Sequence, residues 1–259
     1  MIVNRAGKDC KTEDFSYQDL TGANFTGADL MGANFTGAVL IGADFTGTKL
    51  FSARFTGANL KNANLKEADV GIDIDFLPDG ADFAGADLTE ADFTDANFTG
   101  ANFTGANLTG ATLTGAKLIF ADFTGANLSY LSGLTPVDLT DADLTGTDFT
   151  GADLTKVVLT RANLTNAIIT SKTVLKNLKS ADKVKFVDVD LHGTVFFRTS
   201  FEKANFEGAN LTGAVFRDCI LKGAIFVNAD LTGTRFEGGN EIRVQMPDGF
   251  WGMVKGRSA

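Results

Sequence analysis

A large apolar residue recurs at every fifth position from residue 15 onward: Phe15, Leu20, Phe25, Leu30, Phe35, Leu40 and so on to Val70. The same spacing resumes from Phe83 to Leu128, from Leu134 to Val174 and from Phe186 to Phe236, forty-two positions in all. Two residues before most of them stands a small residue, such as Ala23, Ala28 and Ala33; one residue before stands Asp or Asn, as in Asn24 and Asp29. Thr and Gly follow, as in Thr26 and Gly27. A period of five matches neither the 3.6 of a helix nor the 2 of a strand. A helix would smear these residues around its surface, and a long strand would send them alternately to opposite faces. A short extended piece followed by a corner, repeated, points every large residue the same way. Wound into a coil, such pieces line an interior, and each turn pairs with the next at about 4.8 Å. The pattern therefore predicts an all-β solenoid.

The alternation of Phe and Leu sets the number of units per turn, because residues twenty apart match. One column reads Phe15, Phe35, Phe55, Phe83, Phe103, Phe123, Leu144, Leu164, Phe186, Phe206 and Phe226. The next reads Leu20, Leu40, Leu60, Leu88, Leu108, Leu128, Phe149, Ile169, Leu191, Leu211 and Leu231. Four units per turn make a four-sided coil, about ten coils and roughly 50 Å long. The stretch 134–174 is mostly Leu and fixes its own phase only weakly. Thr48, Thr147, Val157, Thr194 and Cys219 stand at the small site, so Cys219 reads as a buried thiol rather than a reactive one, and Cys10 falls on the large register.

The repeated Ala-(Asp/Asn)-(Leu/Phe)-Thr-Gly unit resembles that of the pentapeptide repeat family, over residues 15–236. The resemblance implies a right-handed quadrilateral β-helix; the residues themselves show no pattern that calls for a cofactor. Residues 1–14 are expected to cap the start and 237–259 the end, where Ile242, Val244 and Met246 alternate as a strand ahead of a turn at Pro247 to Gly249.

Three interruptions break the rhythm. Eight extra residues near 71–80 carry Ile72, Ile74, Phe76 and Leu77 among three carboxylates; they either fold back on a neighbouring side or contact a partner. One extra residue near 131–134 needs only a small bulge or kink. Two more near 171–186 accompany Lys172, Lys176, Lys179, Lys183 and Lys185. Val174, Leu178 and Ala181 there have helical spacing, so the segment reads as an irregular coil or short helix with solvated lysines, or as a docking site for an acidic partner surface. At the far end Phe250 and Trp251 are candidate anchors for a homodimer, a mode the resemblance also allows.

Composition narrows the chemistry. A single histidine, His192, in an ordinary repeat, and two cysteines leave no metal set, disulfide framework or nucleophile-base pair. The net charge of −9 argues against direct nucleic-acid binding, and no apolar run is long enough to span a membrane. The start lacks the apolar core of a signal peptide, so a soluble, cytoplasmic, non-enzymatic protein is expected. The leading reading is a rigid protein-interaction scaffold. The alternative is an acidic DNA mimic that protects DNA gyrase, as some family members do; the segment Glu13 to Leu20 resembles the opening of the quinolone-resistance branch. A third reading is ice binding by columns of threonine, although these are single and occur on all four sides.

Overall fold

The computed structural model describes residues 2–70, 80–131 and 137–238, and the backbone of strands at 242–245 and 251–254. The residue preceding each large apolar position pairs in parallel with its counterpart one coil later. Asn4 bridges Asn24, which bridges Asp44; Asp14 bridges Asn34, which bridges Arg54. The step is twenty residues wherever the repeat is regular. It starts at Asn4, so the segment expected to cap the rod is wound in the same register. Among the described residues the rungs lengthen into three-residue strands near the end, at β1 (Val195–Phe197), β2 (Val215–Arg217) and β3 (Arg235–Glu237), which pair in parallel in that order. Beyond them β4 (Ile242–Gln245) and β5 (Trp251–Val254) form an antiparallel pair, a strand at the place the alternation of Ile242 and Val244 indicates.

The four sides are numbered here by their first full columns: Phe15, Leu20, Phe25 and Leu30. Each side is closed by a corner built from the following two residues. The amide of Ala28 donates back to the Phe25 carbonyl at 2.8 Å, and the amide of Thr26 donates to the side chain of Asn24 at 2.9 Å. Along the axis, Phe25 donates its amide to the Asp44 carbonyl at 2.8 Å, so every coil satisfies the one beside it.

Inside, the large residues stack in columns. Phe35 and Leu60 are fully buried, and their described equivalents are buried along the rod until Leu231 and Phe236, which are partly buried. Rings on side 1 stack face to face, with centroids 4.8 Å apart for Phe35 and Phe55 and 4.6 Å for Phe55 and Phe83. Across the axis they meet the side 3 rings edge-on, as Phe15 does Phe25 at 5.5 Å and 77°. Both arrangements are favoured by the ring quadrupole. Small-site substitutions obey the same packing. Thr48 and Thr147 are buried, and each hydroxyl donates to a backbone carbonyl at 2.8 Å, of Phe45 and Phe123 respectively.

The Leu-rich stretch keeps the phase of its neighbours: Asp122 bridges Asp143, Asp143 bridges Asn163 and Asn163 bridges Lys185, which places Leu144 and Leu164 in the Phe column. One expectation is corrected. Val174 is not an interior residue; it pairs with Asp153 on the outside, and Leu175 is buried in its stead. The first of the two extra residues lies in the corner at 170–172, where the turn bond shifts to Thr173 donating to Thr170. The second forms a bulge. The Lys179 amide donates to the Val157 carbonyl while Ser180 accepts from Leu159, so two residues stand opposite Val158. No helix forms in this segment. Leu178 takes the small site and Ala181 the large one, and both are buried; the exchange of sizes keeps the interior volume filled.

Phe35 stacks on both neighbouring rings and leaves no room for the cavity to collapse. Phe35→Ala is expected to lower stability by about 3–5 kcal/mol, measured by urea denaturation; a loss below 1 kcal/mol would contradict the packed interior.

Candidate interaction surface

The chemistry of the outer surface begins with the carboxylates that precede each large residue. Most are committed to their own corner. Asp19 accepts from both the amide and the hydroxyl of Thr21, at 3.1 and 2.7 Å, and this holds its carboxyl below the ordinary value. At Asp44 burial pulls the other way, but the Thr46 hydroxyl and amide outweigh it and the carboxyl is again lowered. These corners are held while the acid is ionised and loosen as pH falls through the carboxylate range. Bonds of this form engage many threonine hydroxyls, Thr94 and Thr155 donating to Asp92 and Asp153, and Thr36 and Thr104 to the side-chain oxygens of Asn34 and Asn102. Between coils, Asn stacks on Asp and donates to it, as Asn34 does to Asp14 and Asn102 to Asp82, both at 3.0 Å. Among the described residues no group of His, Cys, Asp and Glu has the geometry of a metal site. His192 is exposed. A groove of about 430 Å³ opens beside Met31, Lys49, Phe51 and Asp69 on side 4; it gathers one cation, one carboxylate and no nucleophile.

The three regions singled out by sequence fare differently. Ile72, Ile74, Phe76 and Leu77 lie outside the described residues, as does Phe250; Trp251 opens strand β5, of which only the backbone is described. The lysine segment is described, and the winding disperses it. Lys172 sits at the corner after side 2, Lys176 at the corner after side 3, Lys179 on side 4, Lys183 at the corner after side 4 and Lys185 on side 1. All five are exposed and none forms an ion pair within the described residues. The cluster in sequence is thus a collar around the rod.

Stacking, rather than sequence proximity, concentrates charge. One coil before and one coil after the collar, Lys156, Arg161, Arg198 and Lys203 fall at the two corners that flank side 4, beside Lys176, Lys179 and Lys183. The ladder makes this explicit: Arg161 donates its amide to Asp182, Lys183 to Glu202 and Lys203 to Lys222. Reading the sequence alone missed these four. A signal was present, because the corner position that is usually glycine is Lys or Arg at each of them.

The family model for pentapeptide repeats matches eight copies, with matched segments at 14–47, 28–66, 79–115, 91–129, 134–170, 182–213 and 199–238. The chain belongs to the pentapeptide repeat family. Its coil is accordingly the right-handed quadrilateral β-helix of that family. Solved pentapeptide repeat proteins resemble it at low superposition scores. HetL, involved in heterocyst differentiation regulation in the cyanobacterium Nostoc sp. strain PCC 7120, is 25% identical over 96% of this chain and 91% of its own, with a TM-score of 0.32. The plasmid-mediated fluoroquinolone resistance protein QnrB1 is 21% identical over 88% and 91%, at 0.35. A thylakoid-lumen protein of Arabidopsis thaliana is 36% identical over 43% and 69%, at 0.17. No curated protein sequence matches.

Of the two free thiols, Cys219 occupies a small interior site of this pentapeptide repeat coil. Burial pushes its thiol up to about 11, against the hydrogen bonding of the Thr199 and Arg217 backbone. A raised value stabilises the fold fully below the unfolded thiol's value and loses that contribution as pH rises toward the folded one. Iodoacetamide at pH 8 is therefore expected to label Cys219 far more slowly in the native protein than in urea, and Cys219→Ala to remove part of the loss of stability between about pH 9 and 11. Rapid native labelling would show an accessible thiolate.

Proposed function

We propose that this pentapeptide repeat protein is a non-enzymatic scaffold that binds other proteins on the outside of a rigid rod. The single observation that carries the reading is the gathering of unpaired, exposed cations on side 4, between Lys156 and Lys203, in a chain of net charge −9. Charge left unpaired on a surface whose other polar groups are bonded internally is available to a partner. A rod held by bonds between successive coils also needs little ordering on binding, so less conformational entropy is lost. Its two cysteines are free, which suits a reducing compartment such as the cytoplasm. The segment 71–80 and the end bearing Phe250 and Trp251 are the further contact regions we propose, the latter for a homodimer.

Affinity capture with the whole chain, followed by mass spectrometry, tests this. Specific partners are expected to be retained by the wild type and lost from at least one of three variants: the loop 71–80 shortened, the cations of side 4 replaced, or Phe250 and Trp251 replaced by Ser. Retention unchanged in all three would remove these surfaces, and absence of any specific partner would remove the scaffold reading.

The acidic balance supports a second reading, a DNA mimic that shields DNA gyrase. Its acids are spread over all four sides and interleaved with neutral residues: the outward column of side 2 runs Asp19, Val39, Asn59, Asp87, Asn107, Asn127 and Asp148. That interleaving weakens any continuous negative stripe, and the cations of side 4 interrupt the acid around the rod. A supercoiling assay with gyrase and a quinolone separates the two. No protection is expected at several-fold molar excess of this protein; recovery of supercoiling would establish the second reading.

A further inference from the structure

We propose that side 4 between Lys156 and Lys203 is a docking face for an acidic α-helix of a partner protein, an inference that rests on the scaffold reading and gives its partner a chemistry. Six cations line this face. Lys156, Lys176 and Arg198 run along one edge on consecutive coils, Lys183 and Lys203 along the other, and Lys179 projects from the bulge between them. All six are exposed and none is in an ion pair among the described residues. Arg161 extends the second edge but is held by Asp141, at 2.6 Å from its Nε.

The backbone supplies an independent argument. Corner residues of the coil adopt positive φ, where glycine is free of strain and a residue with a Cβ is disfavoured by about 1–2 kcal/mol. Elsewhere that position is mostly Gly, Asn or Asp. Among the described residues, Lys or Arg occurs at positive φ at Lys156 (63°), Arg161 (59°), Lys183 (57°), Arg198 (48°) and Lys203 (58°), and nowhere else. All five border this one face. Strained positions occupied by the same charge, on one surface, answer to a demand other than stability.

The floor changes at the same coils. Nearer the start, the outward column of side 4 reads Asp9, Asp29, Lys49, Asp69, Asn97, Lys117 and Asp138; from there on it reads Val158, Ser180, Ser200 and Ile220. Two basic edges therefore flank a floor without charge except for Lys179. Cations on one edge repeat every ~4.8 Å, close to the 5.4 Å pitch of an α-helix. The floor is about three extended residues wide, roughly 10 Å, which matches the diameter of a helix. A helix carrying Asp or Glu at i, i+3, i+4 and i+7 turns one acidic stripe toward the floor and Lys179, within which i+3 and i+4 lean to opposite edges. Nucleic acid fits less well. The floor offers no aromatic ring for a base to stack on; Asp182 and Glu202 stand on the second edge beside Lys183 and Lys203, where Asp182 accepts from the Ser200 hydroxyl and Glu202 pairs with Lys222. Phe197, at the first edge, is already covered by the Arg198 guanidinium, 4.8 Å from its ring centre.

The test uses the full-length chain and a fluorescent helical peptide with Glu at i, i+3, i+4 and i+7 on an Ala-rich background, titrated by anisotropy at 20 and 150 mM NaCl. A 20-bp DNA duplex and vesicles of 30% phosphatidylserine serve as competing probes. The variant K156G/K183G/R198G/K203G places glycine at four positive-φ corners, so its melting temperature should equal or exceed the wild type's. K172A/K185A removes two lysines of the collar that lie off this face. The peptide is expected to bind the wild type, to weaken with salt, to lose at least ten-fold affinity in the glycine variant and to bind K172A/K185A as it does the wild type. Equal affinity for the wild type and the glycine variant, no peptide binding, or binding of the duplex or vesicles in place of the peptide would overturn the proposal. Captured protein partners that the glycine variant retains would also overturn it while leaving the scaffold reading intact.

Discussion

The parallel ladder between coils, repeated every twenty residues, is the constraint on which the rest of this rod depends. It needs each coil to have the same circumference as its neighbours, because an amide such as that of Phe25 has one carbonyl to reach, on Asp44. Equal circumference in turn stacks equal side chains, and the Phe columns follow with ring separations near the coil spacing. Sequence, ladder and core are one periodicity seen at three levels. Among the described residues, extra residues are admitted where the ladder steps around them, at the 170–172 corner and the Lys179 bulge.

This economy explains which parts of the molecule were legible in the sequence. A large residue every fifth position leaves one solution for the interior, so the buried set from Cys10 to Phe226 could be named from spacing. Spacing counts only the net number of extra residues, however, and cannot say where each is accommodated. Val174 and Leu175 are both aliphatic and adjacent, and the choice between them depends on whether the extra residue falls before or after them. Leu178 and Ala181 hid the register further by exchanging large and small sites.

The candidate surface was less legible for a related reason. Five lysines within fifteen residues attract notice, but such a run covers most of a turn and so points in nearly every direction around the axis. The residues that stack on the same edge as Lys183 are Arg161 and Lys203, twenty or more positions away, and their alignment depends on the bulge at Lys179. The informative pattern was the replacement of glycine by Lys or Arg at one repeat position, which has meaning only once that position is known to require positive φ.

The pairing of Asn with Asp between coils carries a consequence for how much charge such a rod can hold. Carboxylates in one outward column are brought within about 5 Å of each other by the coil spacing, and their mutual repulsion would oppose the ladder itself. Asn64 above Asp44 and Asn163 above Asp143 dilute that repulsion; where Asp9 meets Asp29 directly, Lys11 bridges both, at 3.6 and 3.2 Å. Asp122 and Asp143 also meet directly, so a column tolerates isolated acidic steps. A long unbroken run of them would draw its counterions from outside, and stability would then track the ionic strength around the rod.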